Sequence, residues 1–235
     1  MLIAAMANQQ LGHRAHARRA LRNAALVPDW SPGEAKVREL WICHILRREA
    51  ERLIVPDLRA FLDGTYQPRF TDEQVALTAV CQATERHAAE VRLWSDAMAQ
   101  DPTLVAGCRI RAIRAAARAG CGVGVDAAAL DDATRAAWRE TARRWMAQEL
   151  DGAERLAQAA DPADRSAGRS AAAKARSFAS VLREPGSLAR MSPEERAACD
   201  ALFSRADRAA AAAAEHAPAK SPARPATQPA PGSPT

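Results

Sequence analysis

The chain has 235 residues, is 48% hydrophobic but only 4% aromatic, and carries a formal net charge of +5. That length accommodates one or two domains and a sizeable core. The positive balance rests on arginine, since Lys36, Lys174 and Lys220 are the only lysines. It is modest and spread out, which argues against a nucleic-acid interface, where basic side chains cluster on one face. Alanine is abundant, and alanine-lined helices bury little area each, so stability must come from many packed neighbours.

The cysteines, Cys43, Cys81, Cys108, Cys121 and Cys199, are odd in number and form no Cys-x-x-Cys pair. Among apolar positions such thiols act as small hydrophobes. They point to a reducing cytoplasm rather than a disulfide framework. Residues 1–7 are apolar but too short for a membrane span, and they lack the basic start of a secretory signal. Neither targeting nor a membrane partner is expected.

Residues 1–27 predict a helix, a turn at Gly12 and a second helix. Leu2, Ile3 and Met6 serve the first helix, Ala17, Leu21 and Ala24 the second, and Pro28 and Asp29 close the unit. Ser31, Pro32 and Glu34 form a helix start, with a capping hydroxyl, a proline in the first turn and an acidic partner. Leu40, Trp41, His44, Ile45 and Leu53 then fall along one face, which the pattern assigns to the core. Pro56 ends this helix, residues 57–62 give a short further turn, and residues 63–68 read as a loop.

Residues 71–102, TDEQVALTAVCQATERHAAEVRLWSDAMAQDP, are the centre of the pattern. Thr71 and Gln74 suit a capping box. Val75, Leu77, Val80 and Cys81 recur at helical spacing, a break falls at residues 85–87, and Val91, Trp94, Ala97 and Met98 follow. Pro102 ends the unit.

This spacing resembles the tetratricopeptide repeat, with Leu77 at its leucine position, Trp94 at the aromatic, Ala97 at the following small residue and Pro102 at the terminal proline. Gln74, Thr78, Cys81 and Glu90 depart from the pattern, Glu90 standing where a small residue lets two helices approach. Ala17, Leu21 and Ala24 repeat the mutual spacing of Glu90, Trp94 and Ala97. In that frame the chain opens inside a repeat. The resemblance implies that first helices line a concave groove. Met6, Gln9 and Gln10 of the first repeat and Asp72, Val75, Ala79 and Gln82 of the central one would then face a protein or peptide partner.

Downstream, residues 104–119 read as a helix and Gly120, Gly122 and Gly124 break it. Asp131 and Asp132 suit the start of a helix to about Leu150. Trp138 and Trp145 continue the apolar stripes, whereas Trp30, between prolines, reads as exposed. Shorter helices are expected at residues 153–160 and 166–182. Ser192, Pro193, Glu194 and Glu195 open another, which runs to about Ala214. Residues 215–235, EHAPAKSPARPATQPAPGSPT, lack the apolar content to offset ordering entropy and are expected to be disordered.

LGHRAHARRAL (residues 11–21), AGCGVGVDAAALDDATRAAW (119–138) and LARMSPEERAACDALF (188–203) are together similar to the C-terminal repeat arrays of planctomycete serine/threonine protein kinases. The resemblance implies a helical scaffold for protein contacts, either a free-standing adaptor or a detached regulatory piece of a kinase. Kinase chemistry itself needs a glycine loop, a strand lysine, His-Arg-Asp and Asp-Phe-Gly. Here Ala15 follows His13 and Arg14, and Val125 stands where a third loop glycine would. A helical-bundle metal enzyme is the rival class. Glu39 with His44, and Glu85 with His87 and Glu90, supply its residue types but not the paired Glu-x-x-His arrangement.

The sequence therefore predicts an all-α chain of antiparallel helical hairpins over residues 1–150. A less regular helical extension follows over 151–214, with a tail over 215–235. It is read as a non-catalytic interaction scaffold without cofactor or metal.

Overall fold

The computed structural model describes residues 1–26, 30, 38–55 and 57–211. Among these residues the chain is all-α, with no strand. The expected cap at Ser31, the closure at Pro28, the break at Pro56 and the tail over 215–235 lie outside the described residues.

Helices α1 (Leu2–Gln10) and α2 (Arg14–Ala25) are joined by a turn in which Gly12 adopts φ 77° and the His13 amide reaches back to Asn8 O at 2.8 Å. A left-handed residue followed by this back-reaching amide ends a helix by satisfying its last carbonyls. The pair α5 (Thr71–Ala83) and α6 (His87–Gln100) turns the same way, with Glu85 at φ 54° and the Arg86 amide 2.8 Å from Cys81 O. Between the two pairs lie α3 (Arg38–Ile54) and the single turn α4 (Leu58–Leu62). Then come α7 (Val105–Gly120), α8 (Asp132–Ala157), α9 (Pro162–Phe178), α10 (Pro185–Leu188) and α11 (Pro193–Ala211).

Neighbours in sequence are mostly neighbours in space. α1 packs on α2, α2 on α5, α5 on α6, α6 on α7, α7 on α8, α8 on α9 and α9 on α11, while α3 folds back on α1 and α2. Two cores result. One gathers Leu2, Leu21, Trp30, Ile54, Leu77 and Val80; the other gathers Val75, Trp94, Ile113, Met146, Leu150 and Phe203. Helix α5 feeds both and is buried continuously from Glu73 to Gln82. A helix closed on all sides needs apolar or fully paired residues around its whole circumference. For this reason Leu77 and Trp94 do not share the one seam that the repeat pattern suggested: Leu77 faces the first core and Trp94 the second.

Several boundaries follow from hydrogen bonds that the sequence pattern left ambiguous. Phe70, not Thr71, is the first residue of the α5 cap, and the Thr71 hydroxyl donates to Gln100 Oε1 at 3.1 Å. Asp131 does cap α8, accepting from the Thr134 amide at 2.7 Å. That helix runs past Leu150 to Ala157, so the short helix expected at 153–160 is mostly its final turns. Helix α9 begins at Pro162 because Asp161 accepts from the Ala163 amide at 2.8 Å. Ser192 Oγ accepts from the Glu195 amide at 3.2 Å, as a helix start there requires. Cys81, Cys108, Cys121 and Cys199 are buried and Cys43 half-buried, all as free thiols. Burial raises the Cys81 thiol well above its ordinary pKa. Among the described residues, no helix is long and apolar enough to cross a membrane.

Candidate functional site

Helix α3 lines a recess that Trp41 borders, and a second tryptophan, Trp30, packs against the same helix. Trp30 is only 2% exposed, whereas Trp41 is 58% exposed, the reverse of the assignment from sequence. Trp30 is held by its indole N–H, which donates to Ala25 O at 3.0 Å, and by its amide, which donates to Gln82 Oε1 at 3.4 Å. The His44 ring stands edge-on to it at 5.2 Å between centroids, and the Arg47 guanidinium lies over it at 5.2 Å. Trp30 thus fills the space beneath α3 that periodicity had allotted to Trp41.

Arg47 then turns inward. Its Nη1 donates to Glu51 Oε1 at 3.0 Å and to Ala79 O of α5 at 3.1 Å. Its Nε is buried with no hydrogen-bond partner. Burial pushes the Glu51 carboxyl up to about 7, against the opposing pull of Arg47. Burial likewise lowers Arg47, and it lowers His44 with help from the Arg47 charge.

Above this pair opens a cavity of about 540 Å³, with Trp41, Arg48 and Arg52 at its edge and Leu58, Leu62 and Val80 among its apolar walls. Binding sites for small groups fall in this size range and are mostly apolar with a few polar anchors. Trp41, Ile45, Arg48 and Arg52 are spaced four, three and four residues apart, so they form one stripe along α3, and all four are exposed. Ile42 and Leu53 are exposed beside them. Contiguous exposed apolar side chains bordered by charge mark interaction sites more often than isolated ones do.

The residues assigned to a groove by the repeat pattern are dispersed. Met6 is half-buried against the first core, Gln9 Nε2 donates to Leu53 O at 3.1 Å, and Gln10 is exposed. Asp72 pairs with Arg22 at 2.9 Å. Val75, Ala79 and Gln82 are 0%, 1% and 1% exposed and open onto no surface. The reason is the double coverage of α5, which α2 closes on one side and α6 on the other. The stripe on α3 left a signal in the sequence, because Arg48 and Arg52 interrupt the apolar series on that face.

A second polar cluster is closed to solvent. Glu90 is fully buried; its Oε1 accepts from Gln82 Nε2 at 2.8 Å and from Trp94 Nε1 at 3.4 Å. Its Oε2 lies 3.2 Å from His87 Nδ1, and His87 Nε2 lies 3.2 Å from Arg118 Nη1 of α7. The loop after α7 seals this cluster. Asp126 accepts from the Ala88 and Ala89 amides at 3.0 and 2.8 Å, and the Val125 amide donates to Glu85 O at 3.0 Å. Gly124 is required there, because a Cβ would stand 2.3 Å from Glu85 O and 2.9 Å from His87 Cδ2. His87 and Glu90 thus pair locally, but inside the protein rather than on a solvated face. Glu90 occupies the expected small position because three side chains converge on its carboxylate.

Among the described residues, no group of three His, Cys, Asp or Glu side chains is arranged to hold a metal ion. Comparison with protein-family models, with curated proteins and with solved structures finds no match.

Proposed function

We propose that the protein is a non-catalytic interaction module of tetratricopeptide type, which docks a protein or peptide partner on the exposed face of α3. The observation that carries this reading is the Trp41 stripe beside a recess of about 540 Å³. A large aromatic side chain left in water at the mouth of an apolar recess is an anchor of the kind that dominates protein interfaces. Sequential packing of the helices supports the scaffold part of the reading, since a relay of helices holds α3 in place through α1 and α2. The likeness to repeat arrays of planctomycete kinases suggests an adaptor or a regulatory piece of such an enzyme.

Selection of a random peptide library against the full chain tests this. Enriched peptides should bind Trp41→Ala at least about tenfold more weakly, as for loss of an interface anchor. Peptides indifferent to Trp41, or no enrichment, would refute docking at α3.

A further inference from the structure

We propose that the occupant of the α3 face is an acidic segment of a partner polypeptide, anchored by an apolar residue against Trp41. This rests on the interaction reading above and adds the chemistry of the partner. Arg48 and Arg52 stand one helical turn apart at the cavity edge, exposed, and neither holds a hydrogen bond or ion pair among the described residues. Of the acids that share a recess lining with them among the described residues, Glu51 is engaged by Arg47 beneath the surface, while Glu49 is exposed alongside. The face therefore carries an excess of guanidinium groups, which recognise carboxylates through paired N–H donors.

Size favours a polypeptide. The exposed series from Trp41 to Leu53 extends about 18 Å along the helix axis, at 1.5 Å per residue. A small carboxylate bound in the recess would leave Ile42, Ile45 and Leu53 in water. A segment with two acids one turn apart and an apolar anchor meets both arginines and the stripe together. The chain's own residues 215–235 have the wrong sign, since Lys220 and Arg224 outnumber Glu215.

The test is fluorescence anisotropy on the full chain with labelled probes. One probe carries leucine anchors and glutamates one turn apart; its counterparts carry glutamine or lysine at the same positions. A peptide of residues 215–235 and a short oligothymidylate complete the set. The glutamate probe should bind most tightly and weaken as salt rises, because exposed charge pairs are screened. The double variant Arg48→Glu, Arg52→Glu should lose about tenfold or more in affinity for it and gain for the lysine probe. The pair Arg48→Gln, Arg52→Gln should fall between, and Arg144→Glu, on exposed α8 surface, should bind as the native chain does. Helicity and unfolding midpoint are recorded for each variant.

Equal binding of the glutamine or lysine probe would overturn the acidic assignment while leaving docking at α3 intact. Tighter binding of the 215–235 peptide, or of the oligothymidylate, would overturn it in favour of the chain's own tail or of nucleic acid. Absence of binding by every probe would overturn it as well. The broader interaction reading falls separately, if the random library yields nothing that depends on Trp41.

Discussion

Arg47 Nη1 lies 3.0 Å from Glu51 Oε1, one turn apart on α3, with both side chains almost wholly withdrawn from solvent. Such a pair is costly to bury, and its attraction repays the desolvation of two ions only partly. Both partners accordingly shift toward their neutral forms, Glu51 upward and Arg47 downward. The pair sits beneath the recess, so its charge state is part of the electrostatics a ligand would meet.

A pH dependence of stability follows. Burial pushes the Glu51 carboxyl up to about 7 in the folded chain, against an ordinary value of 4.5. Between those values the folded state holds a proton that the unfolded state has lost, so stability falls as pH rises. The contribution is fully present below the unfolded value and is gone once pH has passed the folded one. Urea unfolding free energies of the native protein should fall more steeply with rising pH across this window than those of Glu51→Gln, which lacks this titration. Parallel profiles would show that Glu51 ionises normally.

The two tryptophans should respond oppositely to truncation. Trp30→Ala removes a buried ring together with its bond to Ala25 O and its packing on His44 and Arg47, a loss of about 3–5 kcal/mol. Trp41→Ala removes an exposed ring and should change stability by less than about 1 kcal/mol. Denaturant midpoints measured on both variants decide this; similar costs would mean that Trp41 is packed.

Glu90 is the hub of the buried polar cluster. Glu90→Ala strands Gln82 Nε2 and Trp94 Nε1 without an acceptor, which should cost about 2–4 kcal/mol. Glu90→Gln keeps one carbonyl acceptor and should cost less than half as much. If both variants unfold at the native midpoint, the cluster does not bear on stability.

Gly124 and Gly12 both adopt positive φ, at 102° and 77°, but a Cβ at Gly12 meets nothing within 4 Å. Gly12→Ala should therefore cost about 1 kcal/mol of backbone strain alone. Gly124→Ala adds a collision with Glu85 O and should cost at least about 2 kcal/mol. Thermal unfolding of the two variants separates the contributions; equal losses would place the loop away from the α5–α6 turn.

The helices, and the all-α class with them, were readable from periodicity and from caps such as Asp131 and Ser192, because those signals are local. What sequence could not weigh was which of two apolar faces a helix would bury. Trp30 lies between prolines and Trp41 on an apolar stripe, yet packing beneath α3 reverses what those local contexts suggest, and α5 looked like a one-sided repeat helix because nothing local reveals that both α2 and α6 cover it. Glu90 stood out as a departure from the repeat pattern, yet its partners Gln82, His87 and Trp94 become visible only once α5 and α6 are paired. The recess on α3 was hidden for the same reason, since its apolar walls come from α4 and α5.

Amide hydrogen exchange of the full chain, with and without the glutamate probe, addresses docking at α3 most directly. Bound probe should slow exchange over residues 41–53 and 58–62 and leave α8 to α11 unchanged. Protection confined to α8 to α11, or spread evenly over the molecule while the probe is bound, would contradict it.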